Sequence, residues 1–310
     1  MTSDESFSRN ILRLIVWYPV RWVVSIVPVK CAFAILRWMG DIHYLLSKGK
    51  RAELLRNLKI VFRDEELAKT GFFPATLRQY FRNHYVNRLQ ILILHRLHEK
   101  NIEKIHKFEG IENLDNALCL NKGCILLHPH FGPIFLPTQA LGLMGYPVAA
   151  LLLTTDEGLS FIGRYVAFRL RVKFEKKLKT KLIPVQSFLR PVFEHLHNNG
   201  VLFTIGDGAD RGKLIGKYSG HAFLGKRLLF PQGPVLMAKK TGSVILPIFT
   251  VLEQDGSYKT VIHKPINITH DASDDEIIDR FVELMQLYVK RYPYLWHFWD
   301  EFDERIVADA

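Results

Sequence analysis

Residues 123–135 read Gly-Cys-Ile-Leu-Leu-His-Pro-His-Phe-Gly-Pro-Ile-Phe, and the order of these residue types decides the fold around them. Cys124 to Leu127 is a short, continuous apolar run, as expected of a strand buried on both faces. It breaks at His128-Pro129-His130-Phe131-Gly132-Pro133, where Gly and Pro demand a turn, and an apolar helix is expected over 134–144. The same strand–turn–helix grammar recurs downstream. Strand-like runs fall at 148–153, 182–185, 201–205, 244–251 and 258–263, with helical stretches at 163–174, 188–198 and 234–241 between them. Ser273-Asp274-Asp275-Glu276 is a capping box, and it opens a last helix with Ile277, Ile278, Phe281, Leu284, Met285 and Tyr288 on one stripe. Strands alternating with short helices imply an α/β fold, a largely parallel sheet flanked by helices.

Upstream of that alternation the chain changes character. Residues 51–99 look helical throughout, with Leu54, Leu55, Leu58 and Phe62 on one face and Leu77, Phe81, Tyr85, Leu89 and Leu92 repeating the pattern. Residues 11–39 are mostly apolar, but Arg13, Arg21, Lys30, Arg37, Pro19 and Pro28 interrupt them. The uncharged stretches 14–20 and 22–29 are far shorter than the roughly 20 residues that span hydrocarbon. Trp17, Tyr18, Trp22 and Trp38 are residue types that settle at headgroup level. A monotopic N-terminal helical layer facing an anionic membrane is therefore expected, with a single tilted span whose arginines snorkel, or a buried helical hairpin, as the alternatives. No secretory signal is read at the N-terminus, where Asp4 and Glu5 stand in place of basic residues. The expected division is 1–50 for the membrane-associating helices, 51–104 for a helical preamble and 105–310 for the α/β domain.

Of the 310 residues, 48% are apolar types and 24% charged, a balance that buries a core and excludes a disordered or fibrous chain. Three cysteines, none at CxxC spacing, exclude a disulfide scaffold and a zinc finger. The net charge of +11 points to an anionic partner. Nucleic acid is the poorer choice. The aromatic residues cluster in apolar segments instead of interleaving with the basic run, and no reader motif is present.

Catalytic groups in parallel sheets collect where strands end. There His130 can act as general base, with His128 as possible support. The amides of Phe131 and Gly132 are candidate oxyanion donors at the turn that follows. Ile205-Gly206-Asp207-Gly208-Ala209-Asp210 ends another expected strand and brings Asp207 and Asp210 to the same edge if the two strands are neighbours. Ligands at metal-holding spacing are missing, so neither a metal nor another cofactor is expected. A basic run of Arg164, Arg169, Arg171, Lys173, Lys176, Lys177, Lys179 and Lys181 offers a landing site for an acidic group. Gly233, at the start of a helix next to Pro234, offers backbone to an oxygen anion or carbonyl.

Taken in order, these blocks resemble the lipid A biosynthesis acyltransferases, the lauroyl and myristoyl transferases of the lysophospholipid/glycerolipid acyltransferase superfamily. Their pattern is a strand followed by His-Phe-Gly-x-x-Glu or a close variant, and His130-Phe131-Gly132 matches its start. Residues 141–148, 200–207 and 223–249 are similar as well, as are Arg51 with 57–62 upstream and Tyr292-Pro293 with Trp296 near the end. The resemblance implies transfer of a fatty acyl group from an acyl carrier protein or coenzyme A thioester to a lipid or glycolipid acceptor. It further implies work at the cytoplasmic face of a bacterial inner membrane. On the basic helix it implies an arginine near the acceptor's anionic groups, with Arg164, Arg169 and Arg171 as the candidates. One position departs. The family's His-x4-Asp/Glu motif puts an acid where Phe135 stands here, and counting from His128 gives Pro133. Asp207 or Asp210 can substitute for it, His128 can compensate, or the chain is a catalytically silent binder of acyl chains or lipids.

Overall fold

The computed structural model describes residues 7–153, 156, 158–185, 189–208, 214–268 and 272–307. Asp210 lies outside the described residues. In chain order the strands are β1 (His106–Glu109), β2 (Cys124–His128), β3 (Val148–Leu152), β4 (Lys181–Pro184), β5 (Val201–Ile205), β6 (Tyr218–Phe223), β7 (Lys226–Pro231), β8 (Val244–Leu252) and β9 (Tyr258–Ile262). Seven of them form one sheet in the order β1-β9-β8-β2-β5-β3-β4, and every pairing is parallel except β8 with β9. The runs without alternation took the centre. All five residues of β2 are buried, as are the first four of β5. β8 and β9 pair antiparallel through a turn at Gly256, whose φ of 79° suits glycine.

The capping box is present, with Ser273 accepting from Glu276 N–H, and its helix spans Asp274–Arg291. That helix buries Ile277, Ile278, Phe281 and Met285 against the hairpin β6–β7 and one face of the sheet. Leu54, Leu58, Leu77 and Phe81 of the upstream helices join that same cluster, and the opposite face is covered by the helices Ile111–Leu118 and Phe135–Leu143 through Leu114, Ala117 and Leu141. The stretch expected to be helical throughout is divided: Lys48–Val61, Glu65–Lys69, Phe72–Leu89 and Ile91–Leu94. Asp64 caps a new start by accepting from Glu66 N–H, and Gly71 at φ 76° turns the chain before the next one. Further upstream, Phe7–Ile15, a π-helical turn at Val16–Val20 that contains Pro19, and Arg21–Ile26 precede Val29–Leu46. Proline cannot donate to the helical ladder, which accounts for the widened turn. Val29–Leu46 packs on Phe72–Leu89 so closely at Gly40 that a Cβ there would sit 2.6 Å from Arg82 Cα. Among the described residues no helix is long and apolar enough to cross a membrane.

Two buried histidines tie the fold to pH. His106 Nε2 meets Thr260 Oγ1 at 2.7 Å, and His128 lies under the sheet edge against Phe203. Burial pushes both down to about 3. The unfolded chain binds these protons below about pH 6.5, whereas the folded chain does not until about pH 3. Stability is therefore complete above about 6.5 and falls through that window by about 1.4 kcal/mol per pH unit for each histidine. Denaturant melts at pH 7, 6 and 5 should show the decline. His106→Asn should lessen it, and a pH-independent unfolding free energy would refute it.

Candidate active site

Strand register builds the site. His128 of β2 pairs with Ile205 of β5, and Gly206 N–H continues the ladder to His128 O at 2.9 Å. Two residues beyond that pair on each strand stand His130 and Asp207. Their side chains meet, His130 Nδ1 to Asp207 Oδ1, at 2.8 Å. The backbone N–H of His130 also donates to both carboxylate oxygens, at 3.0 and 2.9 Å. A fourth contact comes from Trp296, whose indole N–H donates to Asp207 Oδ2 at 3.1 Å. Asp207 is only 4% exposed. Burial pushes its carboxyl up, but the charge and hydrogen bonds of His130, together with Arg305, outweigh this and hold it below the usual range. An ionised acceptor at Nδ1 puts the ring proton there and leaves Nε2 as the lone-pair nitrogen. The His130 side chain keeps 18% exposure, and its Nε2 has no hydrogen-bond partner among the described residues.

The segment after Arg291 completes the site. Phe131 forms an antiparallel bridge with Trp296, Gly132 N–H donates to Leu295 O at 2.9 Å, and His297 N–H donates to His130 O at 2.9 Å. Phe298 stacks beside the His130 ring at 4.4 Å, and the Arg305 guanidinium covers the Phe298 ring at 3.4 Å. Arg305 also donates to Asp207 O at 3.3 Å. His130 is thus held by Asp207 at one nitrogen and by aromatic packing on its flank.

Other expected site residues fall elsewhere. The amides of Phe131 and Gly132, expected as oxyanion donors, are engaged within the fold: Phe131 N–H donates to Pro129 O at 2.7 Å, and Gly132 N–H to Leu295 O. Both residues are supports instead. Phe131 is fully buried against Phe249 and Tyr288, and a Cβ at Gly132, where φ is 66°, would strike Thr250 O at 2.5 Å. His128 is buried with neither ring nitrogen hydrogen-bonded and no contact to a carboxylate side chain among the described residues. Arg164 pairs with Asp156 at 3.2 Å, Arg169 lies over Tyr165, and Arg171 holds the buried Glu175 at 2.6 Å. None of the three contacts His130 or Asp207 among the described residues. Gly233 starts the helix Gly233–Thr241, and a Cβ added there would meet no neighbouring group within 4 Å. Phe135, at the family's acid position, packs into the apolar cluster that holds Val16, Trp17 and Leu136. Sequence reasoning missed Asn87, His297, Phe298 and Arg305. The dense aromatic run 292–302 was the visible signal for His297 and Phe298, and none marked Asn87 or Arg305.

A strand-end histidine with a buried, ionised partner and a free Nε2 has the geometry with which a general base can activate a hydroxyl or amine. The family described as bacterial lipid A biosynthesis acyltransferase matches residues 5–301, and the chain belongs to it. It is an acyltransferase of lipid biosynthesis. No curated protein matches the chain. Among solved structures it is similar to the 1-acyl-sn-glycerophosphate acyltransferase PlsC of Thermotoga maritima, at 16% identity and a TM-score of 0.37, over 76% of this chain and 97% of that one.

Proposed function

We propose that the protein moves a fatty acyl group from a carrier-protein or coenzyme A thioester to a hydroxyl or amine of a lipid or glycolipid acceptor. His130 serves as the base and Asp207 as its partner. The 2.8 Å contact between Nδ1 and the buried carboxylate carries this reading. His130 Nε2 takes the acceptor's proton as its oxygen or nitrogen attacks the thioester carbonyl. The tetrahedral intermediate then collapses and breaks the carbon–sulfur bond. The imidazolium returns the proton to the departing sulfur, so an ester or amide and a free thiol leave. Asp207 stabilises the imidazolium between these two transfers. Purified protein mixed with acyl thioesters and a total lipid extract should release thiol and acylated lipid in a His130-dependent manner. Thiol release that is identical in wild type and His130→Ala would refute the assignment.

The proposed reaction belongs to the cytoplasmic face of an anionic bacterial inner membrane, and the surface of the N-terminal helices supports the membrane attachment this needs. Ile26 is 81% exposed and Trp22 57%, and Phe161 at 75% belongs to a segment that Arg13 and Asn10 hold through Ser160. Apolar side chains this exposed can enter the headgroup boundary while the neighbouring arginines meet lipid phosphates. The triple variant Trp22→Ser, Ile26→Ser, Phe161→Ser should bind anionic vesicles on the order of 10³-fold more weakly, from roughly 1.5 kcal/mol per lost side chain. Unchanged co-sedimentation would move the attachment to another surface.

A further inference from the structure

His130 and Asp207 both stand past the last ladder bond between β2 and β5, the one from Gly206 N–H to His128 O, so strand pairing does not set their side chains. One residue of the closing segment reaches both. The Trp296 backbone bridges Phe131, next to His130, while its indole N–H donates to Asp207 Oδ2 at 3.1 Å. The ring cannot turn away. It is fully buried between Phe223 at 5.3 Å, Trp299 at 5.0 Å and Phe302 at 5.8 Å, all three buried themselves. Such a cage would suit any large apolar side chain, yet the one polar atom of this ring meets the buried carboxylate.

We propose that Trp296 is a positioning residue of the acyl transfer, its indole N–H holding Asp207 Oδ2 so that Oδ1 stays on His130 Nδ1. This rests on the acyltransferase reading given above. Oδ1 receives Nδ1–H at 2.8 Å, and the His130 backbone N–H is shared between the two oxygens at 3.0 and 2.9 Å. Without the indole, that shared N–H is all that Oδ2 has among the described residues, and the carboxylate can rotate about its Cβ–Cγ bond. A buried acceptor left short of donors is costly, and more so when it is charged. An indole N–H donates only, so it fixes the acid without competing for the proton that passes between His130 and the substrate. The other groups that face the dyad among the described residues are Arg305 with its partner Glu301, and His128, His297 and Tyr218, which burial keeps uncharged at neutral pH.

The test replaces Trp296 in the whole protein by β-(3-benzothienyl)alanine, through a suppressor tRNA, so that sulfur takes the place of the N–H and the bicyclic ring stays. The melting temperature should remain within a few degrees of wild type. Thiol release from an acyl thioester should show kcat about tenfold lower, with KM for the acyl donor within a few fold. The carboxylate, one donor poorer, holds a proton more tightly, so the acid limb of kcat should move to higher pH by about one pH unit. A packing role would move neither at constant ring shape. Trp296→Phe should repeat the displacement of the acid limb with a lower melting temperature, because it also opens a cavity. Wild-type kcat with an unmoved acid limb in the benzothienyl protein would overturn the proposal, as would a lower kcat whose acid limb stays in place. Absence of His130-dependent turnover in the wild type would instead refute the base assignment beneath it, and this proposal with it.

Discussion

Asp207→Asn should lower acyl transfer about 10⁴-fold while leaving KM for the acyl donor nearly unchanged. The carboxylate accepts from His130 N–H, His130 Nδ1–H and the Trp296 indole, and an amide cannot accept from all three. With its oxygen kept toward the indole and the backbone N–H, the amide NH₂ points at Nδ1 and forces the proton to Nε2. The base is then blocked at the nitrogen that faces the acceptor. The imidazolium also loses its counter-charge in a site only 4% exposed, where water does little to replace it. Single-turnover transfer from a labelled acyl thioester measures the loss. A fall of less than tenfold would mean that His130 is positioned without the carboxylate.

His130→Ala should reduce transfer to the background of thioester hydrolysis, with the melting temperature close to wild type. The ring is partly exposed and touches the fold through Asp207 and Phe298, so its removal opens little interior space. His128→Ala should show the opposite profile. His128 is fully buried against Phe203 with both nitrogens unpaired, so truncation leaves a cavity and lowers the melting temperature by several degrees, while kcat stays within tenfold. Transfer that survives His130→Ala and vanishes with His128→Ala would assign the base to the other imidazole.

What could be read from the sequence was whatever rests on local pattern. β2, β3, β4, β5, β8 and β9 are apolar runs bounded by turns, and each lies within two residues of its expected ends. His130 and Asp207 were legible because each follows a strand end, but the register that brings them together is a tertiary fact. β1 was missed because His106–Glu109 is four residues long and carries Lys107 and Glu109. The hairpin β6–β7 was missed for a different reason. Its turn is Leu224-Gly225 with φ of 52° and 74°, and a leucine in the left-handed region announces no turn. Leu224 is held there by its N–H to Gln286 Oε1 at 2.8 Å, a contact made by the last long helix. Phe131 and Gly132 were misread because the Leu295 carbonyl and the bridge to Trp296 arrive from the far end of the chain. The 2.9 Å contact between Asn87 and His297 depends on the same long-range closure.

The loss of the family's acid at Phe135 makes sense in these terms. Phe135 joins the apolar cluster that seats the N-terminal helices, and the carboxylate that meets His130 comes from Asp207, two residues past β5. Single-turnover transfer by the double variant His130→Ala/Asp207→Asn tests that substitution most directly. If the two side chains act as one unit, removing the second from a protein that lacks the first costs nothing more, and the double variant should match His130→Ala within about threefold. A rate lower than His130→Ala by the full Asp207→Asn factor would show that Asp207 acts independently of His130, and would contradict the dyad.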